Sequence, residues 1–165
     1  MKRVVLLLLC ILFLVLDNTL APFFSIKGIY PSLLFTFIIL FSIINGYWEA
    51  IFIGVLAGIL QDSYFMHGFG LNCFSNLLLC ILATFIGESI FKQRRLIPVI
   101  LMFFMTILKY IIIFVVGKML NIIIPLQGIV MMAFYNMIIA LFIYGWVYRL
   151  SNKDFMKRQW KFSEK

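Results

Sequence analysis

Apolar runs separated by short polar breaks dominate the chain, and six can be followed from end to end. They cover about residues 4–20, 29–44, 47–65, 71–91, 97–120 and 128–148. A helix needs about 20 apolar residues to cross a bilayer, so five runs fit a span comfortably and the second is the shortest. The breaks hold residues that end helices or face water: Pro22, Lys27, Gly28 and Pro31 after the first run, His67, Gly68 and Gly70 after the third, and Lys92, Arg94 and Arg95 after the fourth. The pattern predicts an all-α integral membrane protein. Residues 1–150 form a six-helix transmembrane domain, and 151–165 a basic cytoplasmic tail with Trp160 placed to rest at the interface. The first run, behind Lys2 and Arg3, has the layout of a signal peptide. It is read as a retained helix because the rest of the chain is itself polytopic and Pro22 would directly follow the cut.

Composition removes the alternatives. Of 165 residues, 65% are hydrophobic and 12% charged, with mean hydropathy +1.13, whereas a soluble domain averages about 45–50% apolar and about 25% charged. A water-soluble globule is excluded, and what remains outside the spans is too short for a separate catalytic or nucleic-acid-binding domain. The net charge of +8 follows from loop charge bias rather than from a basic nucleic-acid surface. Eleven of the fourteen Lys and Arg residues fall on the side of the two termini. Lys27 and Lys118 fall on the other, and Lys109 lies within a span. By the positive-inside rule both termini are cytoplasmic.

Polar residues inside the runs are the candidate site. Gly46, Ala50, Gly54 and Gly58 recur every four residues and predict a smooth helix-packing ridge that Asp62 continues. An ionisable group in a span costs about 2.5–3.5 kcal/mol on insertion scales and calls for a partner. Counted at 1.5 Å per residue from the cytoplasmic helix ends, Asp17, Asp62 and Lys109 come to similar depths of about 17–20 Å in the outer half of the bilayer. They are expected to cluster, with Lys109 pairing with Asp62 or with Asp17. Asn72, Asn76 and Asn136 are candidates for interhelical hydrogen bonds or ligand contact. Glu88 and Lys92 suit a surface i,i+4 pair. Cys10, Cys73 and Cys80 lie in apolar runs, and the single His67 has no second histidine to build a metal site. No phosphate loop, activated nucleophile or metal-ligand motif is present, so neither enzyme activity nor a cofactor is expected.

Taken together, these features resemble the MreD family of small polytopic proteins from the bacterial rod-shape machinery. The resemblance rests on the basic N-terminus, a first helix ending in Asp17-Asn18, Pro31 ahead of the second helix and the basic tail. Its most specific stretch is Gly54-Val55-Leu56-Ala57-Gly58-Ile59-Leu60-Gln61-Asp62, followed by Gly68-Phe69-Gly70-Leu71-Asn72. Where the family often has Pro-Asp, this chain has Pro31-Ser32. The resemblance implies a non-enzymatic scaffold in the bacterial cytoplasmic membrane. It would bind MreC and, through the complex, meet MreB, RodA and a class B penicillin-binding transpeptidase, helping to localise lateral peptidoglycan synthesis. The competing reading is the substrate-binding S component of an energy-coupling factor transporter, a six-helix bundle of similar architecture and size. Such a component docks through an Ala-x-x-x-Ala face on its first helix, and residues 4–20 hold neither alanine nor glycine. A proton-coupled carrier using Asp62 and Lys109 is the third reading.

Overall fold

The structure, a computed structural model, describes residues 2–26, 28–64, 70–89, 96–122 and 128–153. Among the described residues there are six α-helices: α1 (Lys2–Thr19), α2 (Leu33–Asn45), α3 (Tyr47–Tyr64), α4 (Leu71–Ser89), α5 (Leu96–Met119) and α6 (Ile129–Ser151). A 3-10 turn, Ala21–Phe24, follows α1. Lys27, the turn with His67 and Gly68, the Lys92–Arg95 loop with the Glu88–Lys92 pair it would complete, and the tail from residue 154 with Trp160 lie outside the described residues.

Three helices, α4, α5 and α6, are long and apolar enough to cross a membrane by length and composition. The other three depart from a uniform apolar rod, each for a visible reason. Helices α1 and α3 carry charged or amide groups at both ends: Lys2, Arg3 and Asp17 in one, Glu49, Gln61 and Asp62 in the other. Helix α2 is short, 13 residues or about 20 Å, less than the roughly 30 Å hydrocarbon core. It begins at Leu33 rather than at 29, because the residue before Pro31 is held out of the helical region and Ser32 is extended, at φ −110° and ψ 104°.

Helix α2 is the axis of the bundle. Every residue from Leu34 to Ile43 is buried, with α1, α3, α4, α5 and α6 packed around it. Its sequence, LLFTFIILFSIIN, has no polar face, and a helix apolar on all sides is stable only when covered on all sides. Phe37 of α2 stacks on Phe13 of α1, with ring centroids 4.8 Å apart. By contrast, α4, α5 and α6 turn large apolar side chains outward in mid-helix, including Phe85, Phe104 and Phe142, the last 81% exposed. Such a surface needs hydrocarbon against it. Exposed Trp48 and Tyr64 stand at opposite ends of α3, about 24 Å apart along its axis, a spacing suited to the two membrane interfaces.

Helices consecutive in the chain alternate in direction. Lys2 at the start of α1 reaches Glu49 at the start of α3, 3.2 Å away, and Asn45 at the end of α2 donates to Ser151 Oγ at the end of α6 at 2.7 Å. The start of α1, the α2–α3 junction and the end of α6 therefore share one end of the bundle.

Close backbone approach holds α3 to α4. A Cβ on Gly54 would meet Asn76 O, Cys80 Cβ and Leu77 Cα at 3.2 Å, and one on Gly58 would overlap the backbone of Cys73. Ala50 is fully buried on the same helix. Gly46 does not belong to this ridge. It lies between α2 and α3 with φ +87° and open space where a Cβ would stand, so its role is the turn. Gly87 of α4, unremarkable in the sequence, meets the Ile43 backbone almost as closely as Gly58 meets Cys73. Gly58→Ala is expected to cost about 1–3 kcal/mol, since backbone rather than a movable side chain must give way. Gly54→Ala costs less. Thermal unfolding of both variants in detergent checks the order.

Candidate functional site

Helix α2 starts half-buried within the bundle, and a backbone donor left unpaired where the protein shields it costs several kcal/mol. Each of those donors has a partner. Asp17, from the last turn of α1, accepts from Leu33 N at 2.5 Å with Oδ1 and from Leu34 N at 3.1 Å with Oδ2. Ser32 Oγ accepts from Phe35 N at 3.3 Å and donates to Asp17 Oδ2 at 3.0 Å. The Ser32 N–H itself donates to Asn136 Oδ1 of α6 at 2.9 Å. Asn136 Nδ2 then donates to Thr106 Oγ1 of α5 at 3.2 Å, and that hydroxyl donates to Met102 O. One helix start thus gathers α1, α2, α5 and α6.

The start of α4 uses the same device. Asp62, two residues before the end of α3 as Asp17 is before the end of α1, accepts from Gly70 N at 3.0 Å and Cys73 N at 2.9 Å with Oδ2. Its Oδ1 accepts from Asn72 N at 2.9 Å. Gly70 has φ +101°, which a side chain would resist. Each carboxylate sits against the positive end of a helix dipole, equivalent to roughly half a charge.

Lys109 of α5 is 6% exposed and does not pair with Asp62. Among the described residues it forms no ion pair with Asp17 either: its Nζ donates to Gln61 Oε1 at 3.3 Å and stands 4.3 Å above the Phe35 ring. Both carboxylates are committed to backbone amides, so they attract Lys109 only through space. Gln61 Oε1 also accepts from Asn76 Nδ2 at 2.9 Å, which leaves buried Asn76 Oδ1 without a partner.

These groups surround a cavity of about 120 Å³ whose polar lining includes Asp17, Asn18, Tyr30, Gln61, Asn72 and Lys109. The volume holds several waters or a small polar group. Of the residues singled out in the sequence, Asp17, Lys109 and Asn72 meet at this cavity, while Asp62, Asn76 and Asn136 are turned to neighbouring helices. Ser32, Gln61, Phe35 and Thr106 complete the arrangement. Gln61 had a legible signal, an amide beside Asp62 in an apolar run; Phe35 and Thr106 had none. Among the described residues no group of three His, Cys, Asp or Glu side chains could hold a metal ion.

Asp17→Asn and Asp62→Asn are each expected to destabilise the protein by about 1–3 kcal/mol, because an amide turns a donor toward backbone donors. Adding Lys109→Met to Asp62→Asn brings no recovery. Unfolding in detergent tests this, and a double variant more stable than Asp62→Asn alone would restore the direct ion pair.

Against known proteins, the family model described as rod shape-determining protein MreD matches residues 1–154. No curated protein and no solved structure matches the chain.

Proposed function

The chain belongs to the MreD family of rod shape-determining proteins, and from that premise we propose that it works as a non-enzymatic scaffold of the bacterial elongation complex. Six spans hold it in the cytoplasmic membrane with both termini inside. It binds MreC directly and is linked through the complex to MreB, RodA and a class B penicillin-binding transpeptidase, so that lateral peptidoglycan synthesis is localised. The observation that carries this reading is the family match across nearly the whole chain.

The chemistry of the site supports it. Asp17, Asp62 and Asn136 spend their hydrogen-bonding capacity within the protein, on backbone amides and, for Asp17 and Asn136, also on the hydroxyls of Ser32 and Thr106, which suits a frame. The excess of Lys and Arg on the side of the termini favours the stated orientation. Helix α2 counts as a span through its central position, since its 13 residues cross only with the extended segment before it.

Co-purification from mildly solubilised membranes, with mass spectrometry of what accompanies the tagged protein, is expected to recover MreC and the wall-synthesis enzymes. Recovery of an ATPase pair with a transmembrane coupling subunit would overturn the reading in favour of an S component. Orientation is tested separately, in a background with Cys10, Cys73 and Cys80 replaced. Lys118→Cys should react with an impermeant reagent on intact cells, and Asn152→Cys, also exposed, only after permeabilisation.

A further inference from the structure

The face shared by α1 and α3 carries a groove of about 560 Å³ that helix packing leaves unfilled. Its lining is apolar throughout: Leu7 and Ile11 from α1, with Phe52, Val55, Leu56 and Ile59 prominent from α3. Leu7, Ile11 and Ile59 are more than a third exposed, so none of the described residues covers them.

Two observations say what does. The first is charge at one end. Arg3, Leu7 and Ile11 follow each other at intervals of four, so they form one stripe on α1 and Arg3 stands at the mouth of the groove. Its guanidinium lies 5.4 Å from the centre of the Phe52 ring, itself part of the lining. Beside it, Lys2 is engaged by Glu49 at 3.2 Å, whereas Arg3 is exposed and, among the described residues, has no ion pair. The second is the absence of small residues from the groove. A partner helix docks in lipid through small side chains or hydrogen bonds, yet Ala50, Gly54, Ala57 and Gly58 of α3 are all buried. A flexible chain fits the remaining bulky walls better than a second helix.

We propose that this groove binds one anionic phospholipid of the cytoplasmic leaflet, an acyl chain lying along Leu7, Ile11, Val55 and Ile59 and the phosphodiester meeting Arg3. Arginine suits that contact, because its planar fork matches two phosphate oxygens while its face rests on an aromatic ring. Only the choice of leaflet rests on the orientation proposed above; the groove, Arg3 and the test stand apart from MreC binding.

Native mass spectrometry of the purified protein, offered phosphatidylglycerol or phosphatidylcholine in mild detergent, should show one phosphatidylglycerol retained in preference. Arg3→Gln, at an exposed position, should lower that preference about fivefold, the effect of removing one basic residue near a membrane surface. Ile11→Trp, which fills the groove, should reduce retention of both lipids, and Leu8→Trp, exposed but outside the lining, should leave it unchanged. An unchanged preference in Arg3→Gln would overturn the proposal, as would full retention in Ile11→Trp. A photoreactive residue at Val55 should capture lipid in membranes; capture of another protein's transmembrane helix instead would equally sink it.

Discussion

A helix that begins inside a membrane protein must find partners for its first backbone N–H groups within the protein, and the rest of this structure is arranged around that demand. Helix α2 is apolar on every side and buried from Leu34 to Ile43, with Ser32 and Leu33 at its start half-buried, so the protein itself must supply most of the partners there. Asp17, Ser32 and Asn136 supply the acceptors. Because these come from α1, the helix's own N-cap and α6, satisfying one helix start fixes the relative position of three elements. The α3–α4 hairpin repeats the solution with Asp62, whose carboxylate gathers the amides of Gly70, Asn72 and Cys73.

The same arrangement accounts for how a charged lysine is tolerated in the core. Two carboxylates are offset partly by two helix N-termini of roughly half a charge each, and Lys109 supplies the remaining positive charge. No direct ion pair is needed for this balance. The ammonium is held by Gln61 Oε1 and the Phe35 ring, beside a cavity with room for water to meet its other donors. The charges are spread over five helices rather than held in a local pair.

Packing then distinguishes inside from outside. Small residues face inward where backbones meet, at Gly54 and Gly58 against α4 and at Gly87 against α2, and bulky apolar side chains such as Phe85 and Phe142 face outward. In hydrocarbon there is no hydrophobic gain from turning a phenylalanine inward, so close approach and hydrogen bonding decide which face packs. The Gly-x-x-x-Gly and Asp elements of α3 belong to one logic: the glycines let α4 come near enough for Asp62 to reach its first turn.

Sequence alone determined the membrane character, the number and order of the helices and which polar residues call for partners, because apolar run length, charge bias and the cost of intramembrane charge act locally along the chain. It also predicts one depth for Asp17, Asp62 and Lys109. Depth says nothing about rotation around a helix axis, however, and rotation decided the partners: Asp62 faces the amides of α4 instead of Lys109, and Lys109 faces Gln61 and Phe35. Only the tertiary structure decided that Ser32 is a cap joined to Asp17, that Gly46 makes a turn rather than a packing face, and that Gly87 meets Ile43. Each depends on which helix lies opposite, and the identity of a neighbour is set by the packing of all six helices together.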